Sequence, residues 1–72
     1  MRDTTMYYDR ALDRWSVKYG GKDYGLHCGE PIDLILHGRP CPGRLELGES
    51  WYVIVGGVEL GLRVREVYRI RI

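Results

Sequence analysis

Turn-forming steps divide this chain into pieces too short for helices. Gly20-Gly21, His37-Gly38, Gly48-Glu49-Ser50 and Gly56-Gly57 break it repeatedly. No window of a dozen residues keeps an apolar i, i+3, i+4, i+7 pattern free of glycine or proline. Between the breaks the period is two. Trp15, Val17 and Tyr19 alternate with Ser16 and Lys18, and Ile32, Leu34 and Leu36 alternate with Asp33 and Ile35. Short alternating runs separated by turns specify an all-β domain.

The expected strands follow from this punctuation. Thr4 to Tyr8 is rich in β-branched and aromatic types, and Trp15 to Tyr19 alternates. Gly20-Gly21-Lys22-Asp23 reads as a break, and Pro31 as a strand entrance, because proline lacks an N–H. His37-Gly38 fits a two-residue hairpin turn between Ile32–Leu36 and a return strand from Arg39 to Leu47. Pro40 and Pro42 put the first half of that return strand at an edge or a bulge. Trp51 to Val55, the most continuous apolar run, is expected to be the central strand. Val58 to Leu62 reads as an irregular link, and Arg63 to Ile72 as a terminal strand with an exposed edge. A chain of 72 residues makes one domain, residues 1–72, with a small core. The economical solution is a small SH3-like barrel of about five or six mostly antiparallel strands.

Composition narrows function more than it assigns it. Eleven basic and ten acidic residues leave a net charge of +1, so no global field draws the chain to nucleic acid or an anionic membrane. No run approaches the ~18 apolar residues of a membrane span. No apolar stretch follows Met1-Arg2-Asp3-Thr4, so no signal peptide is expected. The expected setting is the cytoplasm, with Cys28 and Cys41 reduced.

Most of the candidate chemistry lies in Leu26-His27-Cys28-Gly29-Glu30-Pro31. His27, Cys28, His37 and Cys41 offer zinc-ligand types, but adjacent residues of an extended segment face opposite ways, so no metal or other cofactor is expected. A His27–Cys28 dyad needs a third orienting group and a pocket, and a domain this small has little room for one; no enzymatic activity is expected. The simpler reading buries Cys28 as a small hydrophobe, sets Gly29 at a tight bend, and has Glu30 accept hydrogen bonds from backbone N–H groups there.

Two surfaces remain. Tyr7, Tyr8, Trp15, Tyr19 and Tyr24, bordered by His27 and Glu30, form a candidate aromatic contact surface for an unidentified protein partner. Arg63, Arg65, Arg69 and Arg71 recur at period two along the terminal strand, and as a stripe could track a nucleic-acid backbone. The exposed terminal strand could also pair two copies.

Tyr8-Asp9, Arg14-Trp15, Tyr24, Leu26-His27-Cys28-Gly29-Glu30, Gly38, Arg44, Glu46, Trp51-Tyr52, Val55 and Gly61-Leu62-Arg63-Val64-Arg65 together resemble a family of very short bacterial proteins of unknown function. The Leu-His-Cys-Gly-Glu core is the most specific part. The resemblance implies no activity, and it implies a phage or integrative-element setting. His37 and Cys41 fall outside the family pattern, and the tail Glu66 to Ile72 extends beyond it.

Overall fold

Three hairpins close in the same way. Tyr19 pairs with Lys22, Leu36 with Arg39 and Val55 with Val58, each across two residues. Both central residues of each turn have positive φ, including the non-glycine His37 at 52°. These are type I′ turns, whose twist matches that of the strands they join. The computed structural model describes residues 2–72. It contains β1 (Asp3–Asp9), β2 (Arg14–Tyr19), β3 (Lys22–Gly25), β4 (Pro31–Leu36), β5 (Arg39–Leu47), β6 (Trp51–Val55), β7 (Val58–Gly61) and β8 (Tyr68–Arg71).

The all-β expectation holds, with every pairing antiparallel. Several finer expectations do not. The strands number eight, because Lys22-Asp23 continues into β3 and the link after Gly56-Gly57 is the ordered strand β7. They form one open sheet in the order β3-β2-β1-β8-β4-β5-β6-β7, so the barrel is not closed. Trp51 to Val55 lies next to an edge, and only Val53 in it is fully buried. The terminal strand begins at Tyr68, not Arg63, and has no free edge, since β1 pairs with one side of it and β4 with the other. It therefore cannot join two copies by edge pairing. The two prolines behave as expected: β6 pairs with β5 only from Gly43 onward, so Pro40 and Pro42 sit where that side is unpaired.

The strand order reads the same from either end: β3-β2-β1-β8 mirrors β7-β6-β5-β4. The sequence carries the same symmetry. Trp15, Val17, Gly20, Gly21, Gly25, Leu26 and Glu30 recur half a chain later as Trp51, Val53, Gly56, Gly57, Gly61, Leu62 and Glu66. The hydrogen bonds repeat too. Leu26 N–H donates to Trp15 O at 2.7 Å, and Leu62 N–H to Trp51 O at 3.0 Å. Glu30 N–H donates to His27 O at 3.1 Å, and Glu66 N–H to Arg63 O at 3.0 Å. The chain is thus two copies of one unit, a three-stranded meander, a turn and a fourth strand. Each fourth strand is given to the other copy: β4 pairs with β5, and β8 with β1. The two donated strands meet at the centre, where Leu34 pairs with Ile70.

Inward-facing residues from both units make one core: Met6, Trp15, Val17, Leu26, Ile32, Leu34, Leu45, Val53 and Ile70. Burying each such side chain contributes roughly 1.5–3 kcal/mol, and the exchanged strands add Ile32, Leu34 and Ile70 to it.

Candidate functional site

The bend Leu26–Glu30 carries the chain from β3 to β4. The His27 O to Glu30 N–H bond closes a β-turn, and Gly29 at φ 89° takes its third position. That position of a type II turn needs positive φ, which explains the glycine. Glu30 reaches back as its sequence suggests: its Oε1 accepts the His27 backbone N–H at 3.4 Å. Gly29 N–H donates to Leu45 O at 2.7 Å and Leu45 N–H to Glu30 O at 3.0 Å, which tie the bend to β5. Cys28 is exposed, not buried; its thiol donates to Glu46 Oε1 at 3.2 Å, and Glu46 Oε2 accepts from Arg44 Nε at 2.6 Å.

The bend separates two depressions. One, of about 520 Å³, is lined by Val17, Tyr19, Tyr24, Gly25, Leu26, Glu30, Pro31 and Ile72. Tyr19 and Tyr24 stand edge to face with ring centroids 6.5 Å apart, and both are exposed, at 44% and 49%. Arg2 places its guanidinium carbon 4.8 Å from the Tyr19 ring centre. The other depression, of about 220 Å³, is lined by Asp13, Arg14, Leu26, His27, Cys28, Leu47 and Trp51. There Arg14 Nη1 lies 3.2 Å from His27 Nδ1 and donates to it. Among the described residues, no three His, Cys, Asp or Glu side chains converge as a metal site.

The proposed aromatic surface is therefore divided. Tyr19, Tyr24 and Glu30 line one groove. His27 belongs to the other depression. Trp15 is fully buried between Tyr8 and Tyr68, at centroid distances of 5.5 and 5.6 Å, so no partner can touch it. Tyr8 packs on the core from the same face, and its hydroxyl donates to Asp13. That bond, then burial, raises the Tyr8 hydroxyl above its ordinary pKa. Tyr7 points to the opposite face, where burial first and Asp23 second raise its hydroxyl. Period two separates Tyr7 from Tyr8, but it does not say which of Trp15 and Tyr24 the sheet covers.

The arginine stripe is likewise not continuous. Arg63 and Arg65 sit in the turn before β8, while Arg69 and Arg71 lie on its outer face. Arg71 Nε donates to Asp3 Oδ1 at 2.6 Å across the β1–β8 seam, which occupies it as a salt-bridge partner.

The repeat offers an internal comparison that motif reading misses. The residues that correspond to the groove in the second unit are Leu36, Val55, Leu60 and Leu62, in place of Ile72, Tyr19, Tyr24 and Leu26. All four pack against the core. Leu26 and Ile72 do so too, so the two units differ at the tyrosines: Val55 and Leu60 are half-buried against the core where Tyr19 and Tyr24 stand exposed.

These features define a small open-sheet β domain of two strand-exchanged units with one aromatic groove. Residues 4–72 match DUF5348, a domain of unknown function, and the chain belongs to that family. The match includes the tail from Glu66 to Ile72, which is thus no extension: it supplies β8. A crystal structure of a protein from Ruminococcus gnavus, a structural-genomics target, is similar at 32% identity with a TM-score of 0.78, covering 99% of this chain and 100% of that one. No curated protein matches the chain. Among the described residues, no helix is long and apolar enough to cross a membrane.

Proposed function

We propose that this domain acts by binding, without catalysis, and that the Tyr19–Tyr24 groove receives a segment of a partner protein. One observation carries the reading: exposed tyrosines frame the groove in the first unit, whereas aliphatic residues pack against the core at the same place in the second. A stable small domain has no folding reason to leave two large aromatic rings half in water beside an apolar floor of Val17, Leu26 and Ile72. Glu30 adds one carboxylate at the rim, which orients a ligand by a hydrogen bond or a cation. The reading assumes the cytoplasm, where Cys28 and Cys41 stay free thiols, and the phage or mobile-element setting rests on the sequence resemblance alone.

Nucleic-acid binding is the second reading. Its support is reduced to Arg63 and Arg65 in the turn and Arg69 on β8, since Arg71 is engaged by Asp3.

Selection of displayed peptides against the intact domain, with Tyr24→Ala as counter-selection, tests the proposal. Selected peptides should shift the amide resonances of Tyr19, Tyr24, Leu26, Glu30 and Ile72. Failure to enrich any Tyr24-dependent peptide, or retention on DNA at low salt that Arg63→Gln with Arg65→Gln abolishes, would overturn it.

A further inference from the structure

The sheet has two free edges, β3 and β7, at equivalent places in the two units. Leu26 N–H bonds to Trp15 O, so by antiparallel alternation Lys22, Tyr24 and Leu26 face β2, and the N–H and C=O groups of Asp23 and Gly25 point outward. The same argument from Leu62 N–H to Trp51 O turns Glu59 and Gly61 outward from β7. Either edge is a template for another strand. What distinguishes them is charge. The Arg14 side chain lies across Gly25, with its Cδ 2.7 Å from where a Cβ would stand. In the second unit Ser50 replaces Arg14, and Glu49 and Glu59 flank the same depression.

We infer that β3 is the edge through which two copies of this chain pair, antiparallel about a two-fold axis at Tyr24. In that register Asp23 of each copy stands opposite Gly25 of the other. The outward N–H and C=O groups of both residues then bond across the axis. The Arg14 stem lies over Gly25, with Cδ and Nε 2.7 and 3.8 Å from where a Cβ would stand, so the Asp23 carboxylate of the other copy comes beside the Arg14 side chain, once on each side. The two Tyr24 rings come together on the inner face beside both grooves, and cross-strand aromatic pairs stabilise such a seam. The register is self-complementary, as a two-fold contact requires. Pairing through β7 sets Glu59 beside an acidic depression with no cation, so that edge stays guarded. The inference does not depend on what the groove binds. A seam this short falls below the ~1,200 Å² of a standard interface, so the dimer dissociates on dilution.

Sedimentation equilibrium over a wide concentration range, at low salt, tests this. Wild type should show a reversible monomer–dimer equilibrium. Asp23→Arg sets a cation against Arg14, and Arg14→Asp sets a carboxylate against Asp23, so each variant alone should dimerise at least about tenfold more weakly. An equimolar mixture of the two restores both opposite-charge contacts and should recover the dimer. Asp23→Asn, which keeps a hydrogen-bond acceptor, should be weakened less, and Glu59→Arg not at all. Melting curves confirm that each variant folds. A wild type that stays monomeric throughout, a mixture no stronger than its components, or a dimer lost in Glu59→Arg would overturn the inference.

Discussion

Leu34 and Ile70 pair across the β4–β8 seam, half a chain apart, each holding in its own unit the place the other holds in the second. Both are buried, at 4% and 0% exposure. The strand exchange meets at this pair, so it ties the two units together at the centre of the sheet. Ile70→Ala should cost about 2–5 kcal/mol, which is comparable with the whole stability of a domain this small. Urea denaturation would measure it, and a loss below about 1 kcal/mol would mean that the seam is not where the fold is held.

The aromatic residues should separate into two classes. Trp15→Ala removes a fully buried indole and should cost about 3–5 kcal/mol. Tyr24→Ala, at a half-exposed site, should change stability by less than about 0.5 kcal/mol while abolishing peptide binding at the groove. Thermal melts of the two variants side by side would check this.

Two glycines should behave oppositely on substitution by alanine. A Cβ at Gly43 would stand 2.9 Å from both Ile54 O and Val53 Cγ1, where backbone cannot yield cheaply. At Gly61 it would meet nothing within 4 Å. Gly43→Ala should destabilise by about 1–3 kcal/mol, and Gly61→Ala should be close to neutral. Equilibrium unfolding of both would decide it.

The bend makes a related prediction. Gly29 has φ 89°, while its counterpart Arg65 has no positive φ. Gly29→Ala should therefore cost about 1–2 kcal/mol, and Arg65→Ala little. Hydrogen exchange at Gly29 and Leu45, whose amides tie the bend to β5, should quicken in the first variant only.

Stability should fall at both ends of the pH scale. The Arg71 hydrogen bond holds the Asp3 carboxyl below its ordinary 3.8. A depressed carboxyl stabilises the fold above its unfolded pKa, and this is lost as pH drops through the folded value. Tyr7 and Tyr8 are raised above 10.0, so their contribution is present below 10.0 and lost as pH rises through the raised values. Asp3→Asn should flatten the acid limb of a melting-temperature profile and leave the alkaline limb unchanged.

The sequence shows the strands and hides their order. Glycine-bearing dipeptides mark the hairpins, and the alternation of Ile32, Leu34 and Leu36 marks which face turns inward. Both are local signals. Placement of β8 between β1 and β4 is not local, because the pairings that settle it join Asp3 to Arg71 and Leu34 to Ile70. The groove was half legible. Tyr19, Tyr24 and Glu30 stand out as residue types, and Val17 follows from its alternation with Tyr19 and its pairing with Tyr24, but Ile72 reaches the same place only through the placement of the chain after β8. Comparing each half of the chain with the other, instead of searching for short motifs, would have exposed the recurrence from Trp15 and Trp51 onward, and with it the exchanged strands.

Arg2 and Ile72 bond backbone to backbone in both directions, at 2.8 and 3.0 Å. The first and last described residues thus pair, and the fold between them is nearly a ring. A few residues of linker would complete the circle, and opening it at His37-Gly38 would exchange the order of the two units while leaving every strand beside its present neighbours.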